Sequence, residues 1–507
     1  MGKFFGTDGV RGIANVELTA EVALKIGRAV ANILVEGKSK KAKILIGKDT
    51  RISCDMLEGA LIAGICSMGV DVVCLDVIPT PAVAYLVKKY NADAGIMISA
   101  SHNSFEFNGI KIFSGNGYKL PDEIEEKIEK IVLNDVQTNI SDVEYSDLGT
   151  KTVCENAVDD YVEHILETVE GDLSGLKVAF DCSNGAASYT AKKLFSKLGI
   201  DCIIKNNKPD GVNINENCGS VHIENLGSYV KDHGLDAGIA FDGDADRCLA
   251  VDEQGNIIDG DFIMAICAKD LCERGVLKKN AVVGTVMTNI GFNRFCGENN
   301  LDFVATKVGD RYVLEEMLKN DYNFGGEQSG HIIFRDYSTT GDGQLTAVQL
   351  LNILKNSDKK FSELAGVMKK FPQVMLNVKV DNLKKLNFAV DEEVKKMFEE
   401  YPWPGNVREL RNTIEGAFNV AQGKCIHARD LTGYIVQQCG QHEKDSLPCS
   451  TGADEGPSGL NDQIHSVEKR IIEDALKKTS TYAEAARLIG ISRQAFMYKM
   501  KKYKIDV

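Results

Sequence analysis

The hydrophobic pattern of residues 1–380 predicts strands that alternate with helices. Apolar runs of strand length recur, and between them apolar residues return every three to four positions. The predicted strands are Ala42–Ile46, Val72–Leu75, Ala94–Ile98, Lys177–Phe180, Leu235–Phe241 and Ala281–Thr285, and the predicted helices are Glu21–Ile33, Asp122–Ile131, Ala186–Leu198 and Arg311–Leu318. This alternation is typical of α/β layers with largely parallel sheets.

The pattern changes near residue 380. Val390, Val394, Met397 and Phe398 follow a helical spacing, and Tyr401–Leu410 ends that helix and starts another, capped at Asn406. Residues 439–465 contain few apolar side chains and favour a disordered linker, and a helical hairpin is predicted over 466–504.

A chain of 507 residues is too long for a single core, so several domains are expected. We predict three α/β domains followed by an all-α tail, with these bounds: 1–150, 151–253, 254–380, a helical fragment at 386–438, the linker at 439–465 and a helical module at 466–507.

The charge is distributed unevenly. The whole chain carries a net charge of −14, whereas residues 401–507 hold 15 Lys and Arg against 13 Asp and Glu. Nucleic acid is therefore a candidate partner only for the basic tail. No apolar run is long enough for a membrane span, and the cysteines lie singly, without the Cys-x-x-Cys spacing of a zinc site, so a reducing cytoplasm is expected.

Asp242, Asp244 and Asp246 stand at alternate positions between two apolar runs. Three adjacent carboxylates repel one another unless a cation neutralises them, and oxygen ligands suit Mg²⁺. A solvated acidic turn is the simpler alternative. A helix–loop–helix calcium site is excluded because Arg247 occupies the sixth position, which requires glycine, and because the flanks are strand-like. Arg247 would suit a phosphate held at the metal.

A second polar stretch, Ser99–Asn103, follows a predicted buried strand, and its loop is expected to continue through Lys111. Ligands of open α/β sheets bind at such strand ends. Serine and histidine side by side rarely work as nucleophile and base. A serine, a lysine and a distant aspartate trio therefore fit phosphoryl transfer better than acyl transfer.

Four ordered motifs resemble the α-D-phosphohexomutase superfamily. They are Phe5-Gly-Thr-Asp-Gly-Val-Arg-Gly12, Ser99-Ala-Ser-His-Asn103 with Asn108-Gly-Ile-Lys111, Asp242-Gly-Asp-Ala-Asp-Arg247 and Gly326-Glu-Gln-Ser-Gly-His331. Glu327–Ser329 and the Thr306–Arg311 loop resemble its phosphoglucosamine mutase branch.

The resemblance implies three αβα domains and a role for each matching residue. Ser101 would carry the transferable phosphate and, with Asp242, Asp244 and Asp246, would hold one Mg²⁺. Proton transfer is implied for Arg11, Lys111 and His331, and substrate binding for Arg247, Gly309, Asp310, Glu327 and Ser329. The implied reaction converts glucosamine 6-phosphate into glucosamine 1-phosphate through a bisphosphate, for amino-sugar and cell-wall precursor synthesis.

Structural roles remain as alternatives at three of these positions. Ser99 is expected to be a hydrogen-bonding loop residue and not the nucleophile. Lys111 could be a surface lysine, and His331 could be a core histidine with satisfied hydrogen bonds.

The resemblance ends after Phe371–Val380. The Arg-x-Ser-Gly-Thr loop that clamps the substrate phosphate in the family's fourth domain does not occur in this sequence; Glu455–Leu460 has glutamate where the clamp needs arginine. Tyr401–Asn412 instead resembles the helical lid of the AAA+ activators of the alternative bacterial sigma factor, with Arg408 at the nucleotide-sensing position. The sequence has no phosphate-binding Gly-x-x-x-x-Gly-Lys-Ser/Thr loop, so no nucleotide is expected.

The last residues resemble the Fis-type helix-turn-helix of the same activators. Thr481 and Glu484 form a capping box, Gly490 turns the chain, and Ser492 caps a second helix. That helix carries the expected DNA contacts, Arg493, Gln494, Lys499 and Lys502. A solvated helical hairpin without DNA affinity is the alternative. The whole pattern indicates two gene fragments joined near residue 385.

Three functional hypotheses follow. The leading one is a Mg²⁺-dependent mutase acting on a hexosamine phosphate, weakened by loss of the fourth domain. The second is a regulator that binds duplex DNA through its tail, while the mutase-like body merely senses a sugar phosphate. The third is a fusion product with neither function. The chain is also expected to form a homodimer.

Overall fold

The computed structural model describes residues 6, 9–34, 41–133, 143–169 and 171–373, and, after them, 389–390, 392–403, 409–410, 413–414, 416–417, 425–431, 476, 482, 485, 496 and 500. The chain divides into two compact units, Met1–Gln373 and Val374–Val507.

Helices and strands alternate through the first unit, as the hydrophobic pattern predicts. The strands are β1 Val10–Ile13, β2 Lys43–Lys48, β3 Asp71–Val77, β4 Ala94–Ile98, β5 Phe107–Ser114, β6 Lys151–Val153, β7 Lys177–Asp181, β8 Asp201–Lys205, β9 Ala237–Phe241, β10 Cys248–Asp252, β11 Ile257–Ile258, β12 Ala281–Thr285, β13 Asp302–Thr306, β14 Phe324–Gly326 and β15 Ile332–Phe334. The helices are α1 Ala20–Leu34, α2 Cys54–Cys66, α3 Thr80–Lys89, α4 Asp122–Leu133, α5 Ala157–Leu166, α6 Ala191–Lys197, α7 Glu224–His233, α8 Gly260–Glu273, α9 Ile290–Glu298, α10 Asp310–Asn320, α11 Gly343–Asn356 and α12 Phe361–Ala365.

The strands form three sheets, with orders β1-β5-β4-β2-β3-β6, β11-β10-β9-β7-β8 and β13-β12-β14-β15. Each sheet has a parallel centre, but it is extended by antiparallel strands, so the expectation of largely parallel sheets is too simple. In each sheet one central strand turns back in a hairpin: β4 into β5, β9 into β10, and β14 into β15. The repeated domains indicated by the sequence are thus present as a recurring mixed sheet, with a parallel centre and one antiparallel hairpin.

One predicted domain boundary and one predicted helix differ from the structure. The strand β6 follows residue 150 yet pairs in parallel with β3 of the first sheet. The predicted helix Ala186–Leu198 is divided at Thr190 into a 3₁₀ turn, Ala186–Tyr189, and α6. Thr190 is buried and its hydroxyl accepts a hydrogen bond from Gln344 at 2.7 Å, which fixes the chain at the break.

Apolar side chains fill the space between these layers. One core joins α1, α2 and α4 to one face of the first sheet. A larger core is continuous from α3 and α5 through the second sheet to α8 and α11. Polar N-caps fix several helix starts; the Asp342 carboxylate, for example, accepts a hydrogen bond from the Leu345 N–H at 2.9 Å.

In the second unit, the described residues include the helix α13 Glu392–Glu400 and the short strands β16 Ala389–Val390 and β17 Cys425–Ile426. Val394 and Met397 are buried, as the helical spacing predicts, but Val390 pairs in β16 with β17 and is not part of the helix. Among the helices in the described part of the chain, none has the length and apolar character needed to cross a membrane.

Candidate active site

The three hairpins of the first unit carry the three polar motifs. Ser101 lies in the turn between β4 and β5, and the aspartate trio lies between β9 and β10. Glu327 and His331 flank the turn between β14 and β15. Lys111 was expected in a loop, but it lies on β5 opposite Met97, because the chain re-enters the sheet at Phe107. This register turns the Lys111 side chain towards the aspartates.

Ser101 is buried and faces the second domain. Its hydroxyl donates to Asp242 Oδ2 at 2.6 Å, and its Oγ lies 3.4 Å from His102 Nδ1. Ser99 Oγ instead accepts a hydrogen bond from the Ser101 N–H at 2.9 Å. Ser99 therefore supports the loop as expected, and Ser101 is the hydroxyl that reaches the aspartates.

The aspartate trio forms a compact acidic cluster. Carboxylate oxygens of Asp242, Asp244 and Asp246 all lie within 4.8 Å of one another. The Lys111 ammonium lies 2.7 Å from Asp244 Oδ2 and 3.1 Å from Asp246 Oδ2, so this buried lysine is not a surface residue. The main-chain N–H of Arg247 donates to Asp242 Oδ1 at 3.2 Å, and the guanidinium Nε of Arg247 lies 3.9 Å from Asp246 Oδ1. Two cationic side chains thus partly compensate three buried carboxylates.

The electrostatic environment shifts the pKa values of two of the aspartates in opposite directions. Burial and the negative charges of Asp246 and Asp244 hold the pKa of Asp242 well above its usual range. Burial also acts to raise the pKa of Asp246, but the charge of Lys111 and the proximity of His331 outweigh it and bring that pKa well below the usual range. When adjacent carboxylates share one site, their pKa values commonly move apart in this way.

The two histidines of the site differ as well. Burial, followed by the charges of Arg247 and Arg11, lowers the pKa of His102 to about 4, so its ring is neutral at pH 7. Burial acts to lower the pKa of His331, yet the carboxylate of Asp246, 3.8 Å from Nδ1, and that of Asp310 raise it. His331 is therefore more than a core histidine, because its ring contacts the acidic cluster.

The cluster fits a magnesium ion. Asp244 Oδ1 and Asp246 Oδ1 are buried and have no hydrogen-bond partner among the described residues. Buried carboxylate oxygens without a partner are costly unless a cation or water meets them, and all-oxygen donors suit a hard divalent ion.

Two of the expected substrate-binding residues, Glu327 and Asp310, contact His331. Glu327 Oε1 accepts a hydrogen bond from the Gly309 N–H at 3.1 Å, which joins the two predicted substrate loops. The buried Ser329 hydroxyl has no partner among the described residues. Asp310 was expected to bind substrate, but its carboxylate contacts Lys119 and lies 3.4 Å from His331 Nε2.

Several residues at the site were not found from the sequence. The Thr80 hydroxyl donates to Asp244, Lys119 pairs with Asp310, and Arg51 and Asn215 hold the main chain at Ser101. These residues lie 114 or more positions from their partners, with the exception of Arg51, so local spacing carries no signal for the contacts.

The tail residues implied by the resemblance, Arg408, Arg493, Gln494, Lys499 and Lys502, lie outside the described residues. The same holds for Asn406, the capping box at Thr481 and Glu484, and the linker 439–465.

Five protein families match successive parts of the chain. The alpha/beta/alpha domains I, II and III of phosphoglucomutase/phosphomannomutase match residues 2–139, 159–255 and 259–371. An AAA+ ATPase lid domain matches residues 373–447, and the bacterial regulatory proteins of the Fis family match residues 463–503. Both parts of the expected composite chain are thus confirmed.

Curated relatives and solved structures agree with these families. The phosphoglucosamine mutase of Clostridium novyi (strain NT) is 55% identical over 411 residues, covering 80% of this chain and 91% of the relative. That of Clostridium botulinum (strain Hall) is 56% identical over 396 residues, covering 78% and 88%. Matches of this length reach beyond residue 385 into the stretch that the lid family also covers. A crystal structure of a phosphoglucomutase/phosphomannomutase family protein from Burkholderia thailandensis is similar with a TM-score of 0.63 and 28% identity, over 72% of this chain and 79% of that one. By its domains and by its identity with these relatives, the chain belongs to the phosphoglucosamine mutases.

Proposed function

We propose that the chain interconverts glucosamine 6-phosphate and glucosamine 1-phosphate, with Ser101 as the phosphate carrier. The observation that carries this proposal is the 2.6 Å hydrogen bond from Ser101 Oγ to Asp242, at the edge of a three-carboxylate cluster. A serine beside such a cluster is suited to accept and return a phosphoryl group, because positioning and electrostatics supply most of the catalysis in phosphoryl transfer.

The side chains around Ser101 would have separate roles in proton transfer, phosphate binding and sugar binding. Lys111 and His331 lie against the acidic cluster and would exchange protons with a sugar hydroxyl. Arg11 brings a further positive charge near His102, and the Arg247 guanidinium would steady the phosphate. Glu327 and Ser329 would receive sugar hydroxyls, with Gly309 fixing Glu327. Asp310 contacts His331 and would hold its imidazole ring in place, in addition to the contact with substrate that is expected of Asp310.

Asp242, Asp244, Asp246 and a Ser101 phosphate oxygen would hold one Mg²⁺. When bound, the ion would neutralise negative charge on the phosphate during transfer.

Two measurements test this function. A coupled assay would follow formation of glucosamine 1-phosphate, and mass spectrometry would locate phosphate on the purified chain. We expect phosphate at Ser101 and its loss in Ser101→Ala, with Ser99→Ala as the matched control that still takes up phosphate. Phosphate elsewhere, or retained in Ser101→Ala, would contradict the assignment.

A second function is proposed for the tail, which would bind duplex DNA. It is supported by the match of residues 463–503 to the Fis family and by the basic residues Arg493, Lys499 and Lys502. Modules of this type commonly bind as dimers, so a homodimer and a cytoplasmic location are part of the proposal. This function adds to the mutase assignment and does not replace it.

A further inference from the structure

The main chain at Ser101 has an unusual conformation. Its φ of 53° lies in the left-handed region, which residues with a Cβ seldom adopt. Such a conformation persists only where the surroundings hold it in place. Its Oγ reaches Asp242 from this backbone, so the hydrogen bonds that hold the turn also set the position of the nucleophile.

Two donors from different domains converge on this turn. Arg51 Nη2, from the segment between β2 and α2, donates to Ser101 O at 3.1 Å and to Asn103 O at 2.6 Å. Asn215 Nδ2, from the segment between β8 and α7, donates to the same two carbonyl oxygens at 2.9 Å each. Both donors are buried. The carbonyl oxygens of Ser101 and Asn103 therefore each accept hydrogen bonds from both domains.

The two donors are themselves fixed. Arg51 Nη1 forms an ion pair with the buried Asp49, and the Arg51 N–H donates to Asp49 Oδ1 at 3.0 Å. The main-chain N–H of Asn215 donates to Ser183 O at 2.9 Å. Because Asp49 already compensates the Arg51 charge, this guanidinium is suited to hold carbonyl oxygens and is not a free phosphate ligand.

The metal loop lies directly against the same carbonyl. A Cβ added at Gly243 would come within 2.6 Å of Ser101 O and 3.0 Å of Asn215 Nδ2. Movement of the Ser101 carbonyl would therefore also disturb the loop that carries Asp242 and Asp244.

We propose that Arg51 and Asn215 are positioning residues for Ser101, holding its main chain so that Oγ faces Asp242. The inference rests on the proposed function, because it concerns the phosphate carrier of that reaction. In the step affected, the P–O bond to a sugar oxygen breaks, a P–O bond to Ser101 Oγ forms, and the serine proton passes to the released sugar oxygen. Neither Arg51 nor Asn215 takes part in this exchange; each acts through the geometry of the turn.

The test uses the full chain with Mg²⁺ and glucose 1,6-bisphosphate as the phosphate donor. The rate of phosphate uptake at Ser101 is followed by intact mass at several donor concentrations. Arg51→Lys keeps the charge opposite Asp49 but loses the two-pronged contact, and Asn215→Gly removes the amide while tolerating the φ of 59° at that position. Thr50→Val is the matched control, since it removes a hydrogen bond of 2.6 Å to Asn184 O across the same two domains without touching Ser101.

We expect both test variants to lower the maximal rate by about 10- to 100-fold, with a change of less than about threefold in the donor concentration at half-maximal rate. Thr50→Val should keep the rate of the unaltered chain. Hydrogen exchange of the peptide containing residues 99–103 should become faster in Asn215→Gly and stay unchanged in Thr50→Val, a readout that needs no phosphate transfer.

The outcomes separate the two proposals. If the unaltered chain takes up no phosphate, the proposed function fails, and the exchange of residues 99–103 alone decides the positioning role. If it does take up phosphate and the test variants match it in rate, the positioning role is wrong. An equal loss in Thr50→Val would also overturn it, because the effect would then follow from any weakening between the domains. Should Arg51→Lys not fold, Asn215→Gly decides by the same measures.

Discussion

At the scale of single residues, the site is organised by charge. Asp242, Asp244 and Asp246 are buried together, and only Lys111 and Arg247 stand against them as permanent cations among the contacts described. The sequence predicted the aspartates, because their alternate spacing is local. It could not predict that Lys111 lies among them, because that contact joins β5 to a loop 133 residues away.

The first prediction concerns the metal. Asp244→Asn removes one of three carboxylates while keeping the shape of the side chain, so we expect Mg²⁺ to bind about tenfold more weakly or worse. Calorimetry on the purified chain measures this. Because Asp244 also accepts hydrogen bonds from Thr80 and Lys111, the midpoint of thermal unfolding should fall slightly.

Asp261→Asn is the matched control, since Asp261 is equally buried but lies outside the trio, on α8. Its Mg²⁺ affinity should equal that of the unaltered chain. Unchanged affinity in Asp244→Asn would remove the residue from the metal site.

The second prediction concerns pH and Asp342, the N-cap of α11. Burial raises the pKa of Asp342 to about 6, whereas an aspartate in the unfolded chain titrates near 4. The folded state thus binds this proton more tightly, so the stabilisation is complete below about pH 4 and is lost as the pH rises through about 6. Asp342→Asn removes this loss and retains an acceptor oxygen for the Leu345 N–H and the Tyr161 hydroxyl.

We therefore expect the free energy of unfolding of Asp342→Asn at pH 8 to exceed that of the unaltered chain by at most about 3 kcal/mol. At pH 4 the substitution should bring little gain in this free energy. Urea unfolding at the two pH values measures the difference. An equal effect of the substitution at both values would show that Asp342 does not titrate in this range.

At the scale of secondary-structure elements, the hairpins explain why separate motifs meet. The hydrophobic pattern predicts β4, β9 and β12 and the helices α1, α4 and α10 closely, because the strands are continuous apolar runs and the helices are strongly periodic. The return strand β5 was not predicted, and neither was the register that turns Lys111 inwards. Short strands depend on pairing partners that are distant in sequence, as Val390 in β16 also illustrates.

The third prediction concerns the second helix of the expected helix-turn-helix. Arg493→Ala and Lys499→Ala should each weaken binding of the chain to duplex DNA, and should reduce the slope of affinity against salt concentration by about one unit for each lost phosphate contact. Fluorescence anisotropy with labelled duplex DNA at several salt concentrations measures this.

Lys127→Ala, which removes an exposed lysine on α4, is the control with the same charge change and should leave DNA binding unaltered. If the chain has no affinity for DNA at low salt, the proposed DNA-binding role of the tail is wrong.

At the scale of the whole molecule, the sequence alone predicted three α/β domains followed by a foreign all-α tail, and the matched families confirm that order of domains. The tail is not entirely helical, because β16 pairs with β17. Composition and motifs suffice for this because each domain carries its own signature. They do not suffice for the boundaries, since β6 continues the first sheet beyond residue 150 and the match to the Clostridium novyi mutase extends over 411 residues. A boundary depends on which strands pair, and pairing is not visible in local sequence.

The last prediction concerns catalytic power. The chain has no Arg-x-Ser-Gly-Thr loop to clamp the substrate phosphate. Such a clamp would supply about three charge-assisted hydrogen bonds, each of about 1.5–3 kcal/mol, and their loss amounts to about 5–9 kcal/mol before water replaces part of it. This corresponds to a loss of about 10⁴- to 10⁶-fold in kcat/KM. A bisphosphate that must reorient between two half-reactions would also escape from an unclamped site.

Ser101 should therefore still accept phosphate and release it slowly to water, while net isomerisation of glucosamine 6-phosphate is nearly abolished. The comparison that decides this is a coupled assay of the chain beside a version in which the residues after about 380 are replaced by the fourth domain of a phosphoglucosamine mutase. The replacement should restore turnover without changing phosphate uptake at Ser101, because the residues proposed to carry out uptake all lie in the first unit. Similar rates of isomerisation in the two proteins would mean that the clamp is dispensable or that the tail takes its place.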